Sequence, residues 1–206
     1  MSHAPTAKAA ETKRRLLEES VRLIEENGLA KLSFREMARR AGVSHQAPYH
    51  HFANREGILA ALAHEGFLRF DERLVAARAS PAEPPERLRL VLRAYMTFAL
   101  EHPTHFRIMM RPELAPLAKY PEARAAASQT FRRLVETVAE CHPGAAPDDP
   151  RFLEVVSALW AGAHGVATLL LDGPVRSNSP QLRLEDFIET SARLYAEAGA
   201  RTALLG

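Results

Sequence analysis

The stretch from Ser33 to Arg55, SFREMARRAGVSHQAPYHHFANR, decides the fold of the N-terminal part of this chain. It contains two short helical patterns on either side of Gly42, then a cluster of aromatic and histidine residues, then a new helix start at Asn54. This order is typical of a helix-turn-helix, whose second helix contacts base edges in the major groove of DNA. A small helical bundle with solvated charges is the alternative that the pattern leaves open.

Polar residues at the helix ends support these assignments. Ser33 and Glu36 have the spacing of a capping box, in which each side chain accepts a hydrogen bond from the backbone amide of the other. Ser44 is placed to cap the recognition helix, and Asn54 is placed to cap the fourth helix. Pro48 is tolerated in the first turn of a helix, but it biases the residue before it away from helical torsions. We therefore predict a recognition helix that is short or begins late.

Composition limits the classes of protein to consider. The chain has 206 residues and a net charge of only +2, so nucleic-acid binding has to depend on local charge rather than on the whole chain. Residues 1–60 hold ten basic and seven acidic side chains, a small local excess. Cys141 is the only cysteine, which excludes an intrachain disulfide and fits a reducing compartment.

No stretch of the sequence indicates a membrane protein. Residues 1–15 contain no apolar segment of the kind found in secretory signals, and the longest apolar run, 158–171, is shorter than a membrane span requires. We expect a cytoplasmic protein with no membrane partner.

Helical periodicity covers the chain and strand signals are nearly absent, which predicts an all-α fold of nine helices. Short helices precede residue 55, and longer helices richer in Met and aromatic residues follow it. We predict a helix-turn-helix DNA-binding domain at 1–54 and a larger helical-bundle domain for ligand binding and dimerisation at 55–206. Beyond residue 55, helices are predicted at 55–79, 88–100, around 106–110, at 121–141 and 151–171, and over a stretch containing 184–195, with loops at 142–150 and 176–180.

The residues best suited to contact DNA surround the glycine turn. Glutamine can pair with adenine through two hydrogen bonds, histidine can donate to guanine, and arginine can contact guanine or phosphate. The predicted base contacts are Arg35, His45, Gln46 and Ala47. Hydroxyl, imidazole and guanidinium groups nearby suit phosphate contact, as do the amides at the N-terminus of the fourth helix. The predicted phosphate contacts are Ser33, Ser44, Tyr49, His51 and Arg55.

Residues 10–60 resemble the N-terminal domain of TetR-family transcriptional regulators. The resemblance is carried by the spacing of three runs: FREMARRAGVS at 34–44, YHHF at 49–52 and NRE at 54–56. It implies phosphate contacts at positions 49 and 55, base contacts at 35 and 45–47, and a core position for Phe52.

Two residues in this stretch depart from the family's usual pattern. Pro48 stands where the family usually has an apolar residue other than proline, and Gln46 stands where glycine is frequent. Both lie within the segment that would contact bases.

The C-terminal half carries a second resemblance. Trp160, His164 and Gly165, within LWAGAHGVATLL, resemble the Trp-His-Gly signature of one TetR C-terminal type, the WHG domain. The segment from His102 to Met110 resembles the corresponding part of that domain. In this family the last two long helices form a four-helix bundle in a homodimer, which implies dimerisation through the two final long helices here.

Spacing along the eighth helix leaves two interpretations open. Trp160 and His164 either line an effector pocket, as an apolar wall and a polar handle, or belong to the packed core. We favour the core for Trp160 and leave both interpretations open for His164. Gly162 and Gly165 would let another helix approach closely. Most of the aromatic and Met side chains fit an ordinary bundle core; the predicted pocket residues are Tyr95, Phe98, Phe106, Met110, Trp160 and His164.

Together these patterns predict a homodimeric transcriptional repressor that binds a palindromic operator in double-stranded DNA. Two recognition helices about 34–36 Å apart can contact two half-sites of such an operator. A small-molecule effector, of unknown identity, that fits only another spacing would shift the population off the DNA. The fourth helix would transmit that shift.

The alternative is a helical ligand-binding protein or enzyme with a vestigial DNA-binding domain. No GxSxG, Walker-type loop or dinucleotide fingerprint supports an enzyme. We expect no cofactor and no metal site, because the pairs His50-His51 and His102/His105 lack further ligands at suitable spacing. Surface or capping positions are predicted for these histidines.

Overall fold

The computed structural model describes residues 7–202; residues 1–6, the beginning of the stretch considered above for a secretory signal, and 203–206 lie outside it. All regular structure between residues 7 and 202 is helical, which confirms the predicted all-α class. Two 3-10 turns, Leu29–Lys31 and Leu117–Lys119, accompany the α-helices. The α-helices are α1 (Ala7–Asn27), α2 (Phe34–Arg40), α3 (Ala47–His51), α4 (Arg55–Arg78), α5 (Pro84–Glu101), α6 (Pro103–Met109), α7 (Pro121–Cys141), α8 (Pro150–Leu171), α9 (Pro174–Asn178) and α10 (Leu184–Arg201).

Two helix predictions differ from the structure for local reasons. Helix α5 begins four residues early because Pro84 and Pro85 occupy its first positions, where their missing amides are not needed. The predicted loop at 176–180 is wrong in part, since the short α9 begins after Gly173, whose φ of 90° allows the turn. The chain therefore has ten α-helices between residues 7 and 202 rather than the nine predicted.

The described chain forms two compact units. One extends to Gly66 and also contains Thr104–Arg124; the other contains Phe67–Pro103 and the residues from Ala125 onward. In the first unit, α1, α2 and α3 pack around buried apolar side chains. Phe52 is among them, as the family resemblance implied. The buried set includes Leu16, Leu23, Met37, Ala38, Phe52, Ile58 and Leu62.

Helix α6 packs closely on α4 in the first unit. A Cβ at Gly66 would lie 3.1 Å from the His105 Cβ and 2.5 Å from the Met109 Sδ, so this approach depends on glycine. His105 is only 4% exposed, with Nε2 3.6 Å from the Glu65 carboxylate. The predicted surface or capping position for His105 is therefore wrong, because the close approach at Gly66 covers its ring.

In the second unit, α8 and α10 cross at two glycines. A Cβ at Gly162 would lie 2.8 Å from the Tyr195 ring, and one at Gly199 would lie 2.8 Å from a Leu159 methyl group. The predicted close helix approach is confirmed at Gly162. At Gly165 a Cβ would meet no atom of the described chain within 4 Å, so no helix of residues 7–202 approaches it closely and the predicted approach there stays a prediction.

Charged side chains join α4, α5 and α7 within the same unit. The Arg78 guanidinium donates to the Arg133 carbonyl at 2.8 Å and to the Glu140 carboxylate at 2.9 Å. Arg87 donates to the other Glu140 oxygen at 2.8 Å. This network fixes the C-terminal end of α4.

Helix α8 is the one helix among residues 7–202 that could cross a membrane by length and composition alone. A third of its most apolar 18-residue stretch is buried. The apolar run 158–171, predicted to be too short for a membrane span, forms the C-terminal part of this helix, which begins at Pro150 and has 22 residues. Buried core helices of soluble proteins can have the same length and composition.

Candidate nucleic-acid interface and effector site

The turn between α2 and α3 is a Schellman motif centred on Gly42. The Val43 amide donates to the Ala38 carbonyl at 3.0 Å, and the Gly42 amide donates to the Arg39 carbonyl at 3.2 Å. Gly42 has a φ of 63°, a left-handed conformation that residues with a side chain rarely adopt. Arg15 of α1 donates to the Ala41 carbonyl and so ties the end of α2 to the first helix.

The start of α2 shows which arginines are available to DNA. Ser33 accepts the Glu36 amide at 3.5 Å, but the Glu36 carboxylate accepts from Arg39 and Arg40, both at 2.9 Å, so only half of the predicted capping box forms. The hydrogen bond from Arg39, followed in size of effect by the one from Arg40, lowers the pKa of the Glu36 carboxyl to about 2. Arg35 is exposed and forms no ion pair with residues 7–202.

The recognition helix α3 is short and begins late, as predicted from Pro48. It spans five residues from Ala47, so His45 and Gln46 lie in the turn before it, and both are exposed. The predicted capping role of Ser44 is wrong: Gln46 occupies the N-cap position and no side chain caps the helix. Because the helix starts three residues after Ser44, this serine is too early to reach the free amides of the first turn.

Tyr49 and His51, two predicted phosphate contacts, differ in their surroundings. Tyr49 is 59% exposed while its ring packs against Phe34, with ring centroids 4.8 Å apart. His51 is half-buried; burial, and then the charge of Lys13, lowers its pKa. A contact from His51 to phosphate would therefore be a hydrogen bond from a neutral ring.

The N-terminus of α4 lies beside these residues in the sequence and is capped as predicted. The Asn54 side chain accepts the Gly57 amide at 2.9 Å. Arg55 is exposed and donates to the Leu29 carbonyl, which holds its guanidinium at the surface of the unit. Ser33 and Ser44 are also exposed.

Sequence reasoning missed one group of residues at this end of α4, which we call the Glu56 cluster: Glu56, Lys119 and Tyr120. The Tyr120 hydroxyl donates to a Glu56 carboxylate oxygen at 3.0 Å, and the Lys119 ammonium lies 3.3 Å from the other oxygen. More than sixty residues separate these partners along the chain, so no local pattern could have indicated the contact.

The second unit contains a chain of hydrogen bonds between three aromatic residues. The Trp160 indole donates to the Tyr95 hydroxyl at 3.3 Å, and that hydroxyl lies 2.9 Å from the His164 Nδ1. Burial raises the pKa of Tyr95 and lowers the pKa of His164. The hydroxyl therefore stays protonated and the ring is neutral, so Tyr95 donates to His164 in the tautomer whose Nδ1 carries no proton.

Trp160 does not occupy the core position that we favoured, since it is 41% exposed, while Val156 one turn earlier is fully buried. Each step of four residues turns about 40° around a helix, so the stripe from Val156 to His164 drifts away from the core. The Trp160 ring meets the edge of Phe131, with centroids 5.9 Å apart.

The structure gathers some of the six predicted pocket residues in one place. Phe98 is buried in the second unit and stacks on Phe70, which also contacts Tyr95. Phe106 and Met110 belong to the first unit. No group of three or more His, Cys, Asp or Glu side chains among residues 7–202 is arranged to hold a metal ion.

Comparison with known families decides which kind of protein has this architecture. Residues 16–62 match the bacterial regulatory proteins of the tetR family, and residues 88–194, more than half of the chain, match the tetracyclin repressor-like C-terminal domain. The chain belongs to the TetR family. It is therefore a DNA-binding transcriptional regulator, and TetR regulators are in general not enzymes.

Solved structures share the fold of this chain over nearly its whole length. A Rhodococcus sp. RHA1 protein of unknown function is 26% identical, with 95% of this chain and 96% of that chain covered and a TM-score of 0.74. The regulator PfmR from Thermus thermophilus is 22% identical, with 93% and 100% covered and a TM-score of 0.65. A single-residue variant of TetR from Acinetobacter baumannii AYE, in complex with minocycline, is 19% identical, with 89% and 93% covered and a TM-score of 0.60.

Proposed function

We propose that this TetR-family regulator is a cytoplasmic repressor that binds a palindromic operator and leaves it when a small molecule binds. The observation that carries the proposal is the availability of three side chains at the α2–α3 turn. Arg35, His45 and Gln46 are exposed, and no hydrogen bond or ion pair with residues 7–202 engages their side chains. The neighbouring arginines of α2 are held by Glu36.

We assign direct contact with base edges to Arg35, His45, Gln46 and Ala47. Contacts to phosphate are assigned to the side chains and helix amides around them, which set the register of the protein on DNA. These residues are Ser33, Ser44, Tyr49, His51 and Arg55. In this scheme residues 1–54 bind DNA, and residues 55–206 bind the effector and the second subunit.

The homodimer would form through one face of α8 and α10. Small and apolar side chains are exposed on both helices, and a Cβ at Gly165 would meet open space. Leu169 is 47% exposed and Leu194 is 60% exposed. Burial of this face against its copy would form a four-helix bundle whose small residues permit close helix approach. The face comprises Ala158, Ala161, Gly165, Leu169, Leu194 and Ala198.

The effector would bind at the hydrogen-bonded chain of Tyr95, Trp160 and His164. Binding sites for small molecules combine apolar walls with a few polar groups that orient the ligand, and this cluster offers both. Phe98 is the proposed apolar contact within the second unit. The Acinetobacter TetR variant has minocycline bound, which makes that compound one member of a panel to test here.

Gel-shift titrations test the DNA-binding part of the proposal. A duplex selected by the protein from a randomised library serves as the operator. Tyr49→Phe keeps the ring that packs on Phe34 and removes only the hydroxyl, so it should weaken binding to all sequences alike. Gln46→Ala should instead relax the preference at one base pair, at a cost of about 1–3 kcal/mol for the correct base. If no duplex is selected at any salt concentration, the proposal is wrong.

Trp160 provides a direct assay for the effector because it is the only tryptophan. A compound that binds at the cluster should change its fluorescence and release the operator over the same concentration range. His164→Ala should weaken both responses together. A compound that releases DNA without changing the fluorescence would place the effector elsewhere.

A further inference from the structure

We propose that Lys119 and Tyr120 are positioning residues for DNA binding, acting through Glu56 at the N-terminus of α4. The inference rests on the proposed phosphate contacts of this helix end. In it, the two residues hold the Glu56 carboxylate in one place and neutralise its charge beside the bound phosphate.

The electrostatic problem at this helix end follows from the sequence. Unbonded amides at a helix N-terminus attract anions, and they attract a side-chain carboxylate as readily as a phosphate. Glu56 is the second residue of α4, immediately after Arg55. A free carboxylate at this position would compete for the same amides and would repel the DNA backbone.

The Glu56 cluster removes both effects. Lys119 supplies a positive charge 3.3 Å from the carboxylate, and the Tyr120 hydroxyl fixes one oxygen at 3.0 Å. Burial, together with the hydrogen bond and the charge of Glu56, raises the pKa of Tyr120, so its hydroxyl remains a neutral donor.

The exposure of the cluster separates this role from a purely structural one. The Lys119 side chain is 66% exposed and that of Glu56 is 33% exposed. Exposed ion pairs add little to folding stability. A change in DNA affinity without a matching change in unfolding temperature would therefore report on the charge beside the phosphate.

The test uses Tyr120→Phe and Lys119→Met, each alone and combined with Glu56→Gln. Matched controls are Tyr195→Phe and Arg132→Met, which remove a hydroxyl and a positive charge from the second unit. Dissociation constants are measured on the selected operator and on an unrelated duplex across a series of salt concentrations, and unfolding temperatures are measured in parallel.

We expect Tyr120→Phe and Lys119→Met each to weaken binding to both duplexes by about fivefold, the size of one hydrogen bond. The salt dependence should stay that of the parent, and the two control variants should bind like the parent. Glu56→Gln should tighten binding, and in its presence the two substitutions should lose most of their effect, since neighbouring residues that act through one another are not additive.

Four outcomes would overturn the inference. Unchanged affinity with a lowered unfolding temperature would make the cluster structural only. A second outcome is that Lys119→Met lowers the slope of log affinity against log salt concentration by about 0.9, both alone and combined with Glu56→Gln. That result would make Lys119 a phosphate contact itself. Failure of the parent protein to bind any selected duplex would overturn the proposed function and this inference with it, whereas parent binding with unaltered variants overturns the inference alone.

Discussion

At the scale of single residues, the chain from Trp160 through Tyr95 to His164 depends on the charge of one imidazole. Tyr95 can donate to the His164 Nδ1 only while that nitrogen carries no proton. Burial lowers the pKa of His164, which means that the folded state binds a proton less readily than the unfolded state. The stabilisation is therefore fully present above the ordinary histidine pKa and is lost as the pH falls through the folded value.

Unfolding in urea at about pH 7.5 and about pH 5.5 measures this effect, since the two values bracket the ordinary histidine pKa. The parent should lose more unfolding free energy on acidification than His164→Gln does. The comparison with His164→Gln is needed because the pKa of His51 is lowered as well. Equal losses in both proteins would mean that folding does not lower the pKa of His164.

Gly42 is a second residue with a defined cost of substitution. Gly42→Ala should lower the unfolding free energy by about 1–2 kcal/mol, because the residue is left-handed and a Cβ would lie 3.2 Å from the Arg15 guanidinium. Gly57→Ala is the matched control in a helix, where the nearest atom to a new Cβ is 3.7 Å away. Chemical denaturation of both variants should show the loss at position 42 alone.

At the scale of elements, residues close together in the sequence are sufficient to predict the bounds of several helices. Pro121 and the proline-containing loop at 142–150 indicated the bounds of α7, and Pro48 predicted the short α3. The failures involve packing between distant segments. The spacing of Trp160 favours the core, but the drift of the stripe around the helix turns it outward. His105 has the pattern of a surface residue, but Gly66 lets α6 cover it.

The α8–α10 crossing provides the test at this scale. Gly162→Ala should destabilise the protein by about 1–3 kcal/mol, because the Tyr195 ring atoms 2.8 Å away cannot withdraw without moving α10. Replacing Tyr195 with leucine in the same protein should restore part of the loss, since a smaller side chain leaves room for the methyl group. Additive losses in a double-mutant cycle would argue against a direct contact.

At the scale of the whole molecule, the proposed operator binding depends on two copies of the chain. The sequence resemblance indicated the last two long helices as the interface, and the exposed face of α8 and α10 supports that assignment. The positions of the proposed DNA contacts could be named from the sequence because they follow one another along a short stretch. The Glu56 cluster could not, because its partners meet only in the folded chain.

Leu194→Arg should convert the dimer to a monomer, because it places a charge in the centre of the proposed apolar face. Sedimentation velocity should show the change in mass. Operator binding should weaken, and the bound fraction of operator should rise more steeply with protein concentration. Leu182→Arg is the control, since Leu182 is also exposed but lies in the loop before α10. If the two variants sediment alike as dimers, the interface lies elsewhere.

The five-residue α3 has a consequence for how this regulator selects among genomic sites. The helix extends only about 7.5 Å, or about two base-pair steps, and Ala47 is the one proposed base contact that lies on it. With so few edges within reach, much of the discrimination should come from how easily the intervening DNA bends and narrows. Operators for this protein should then be distinguished as much by flexible pyrimidine–purine steps between the half-sites as by the bases the protein touches.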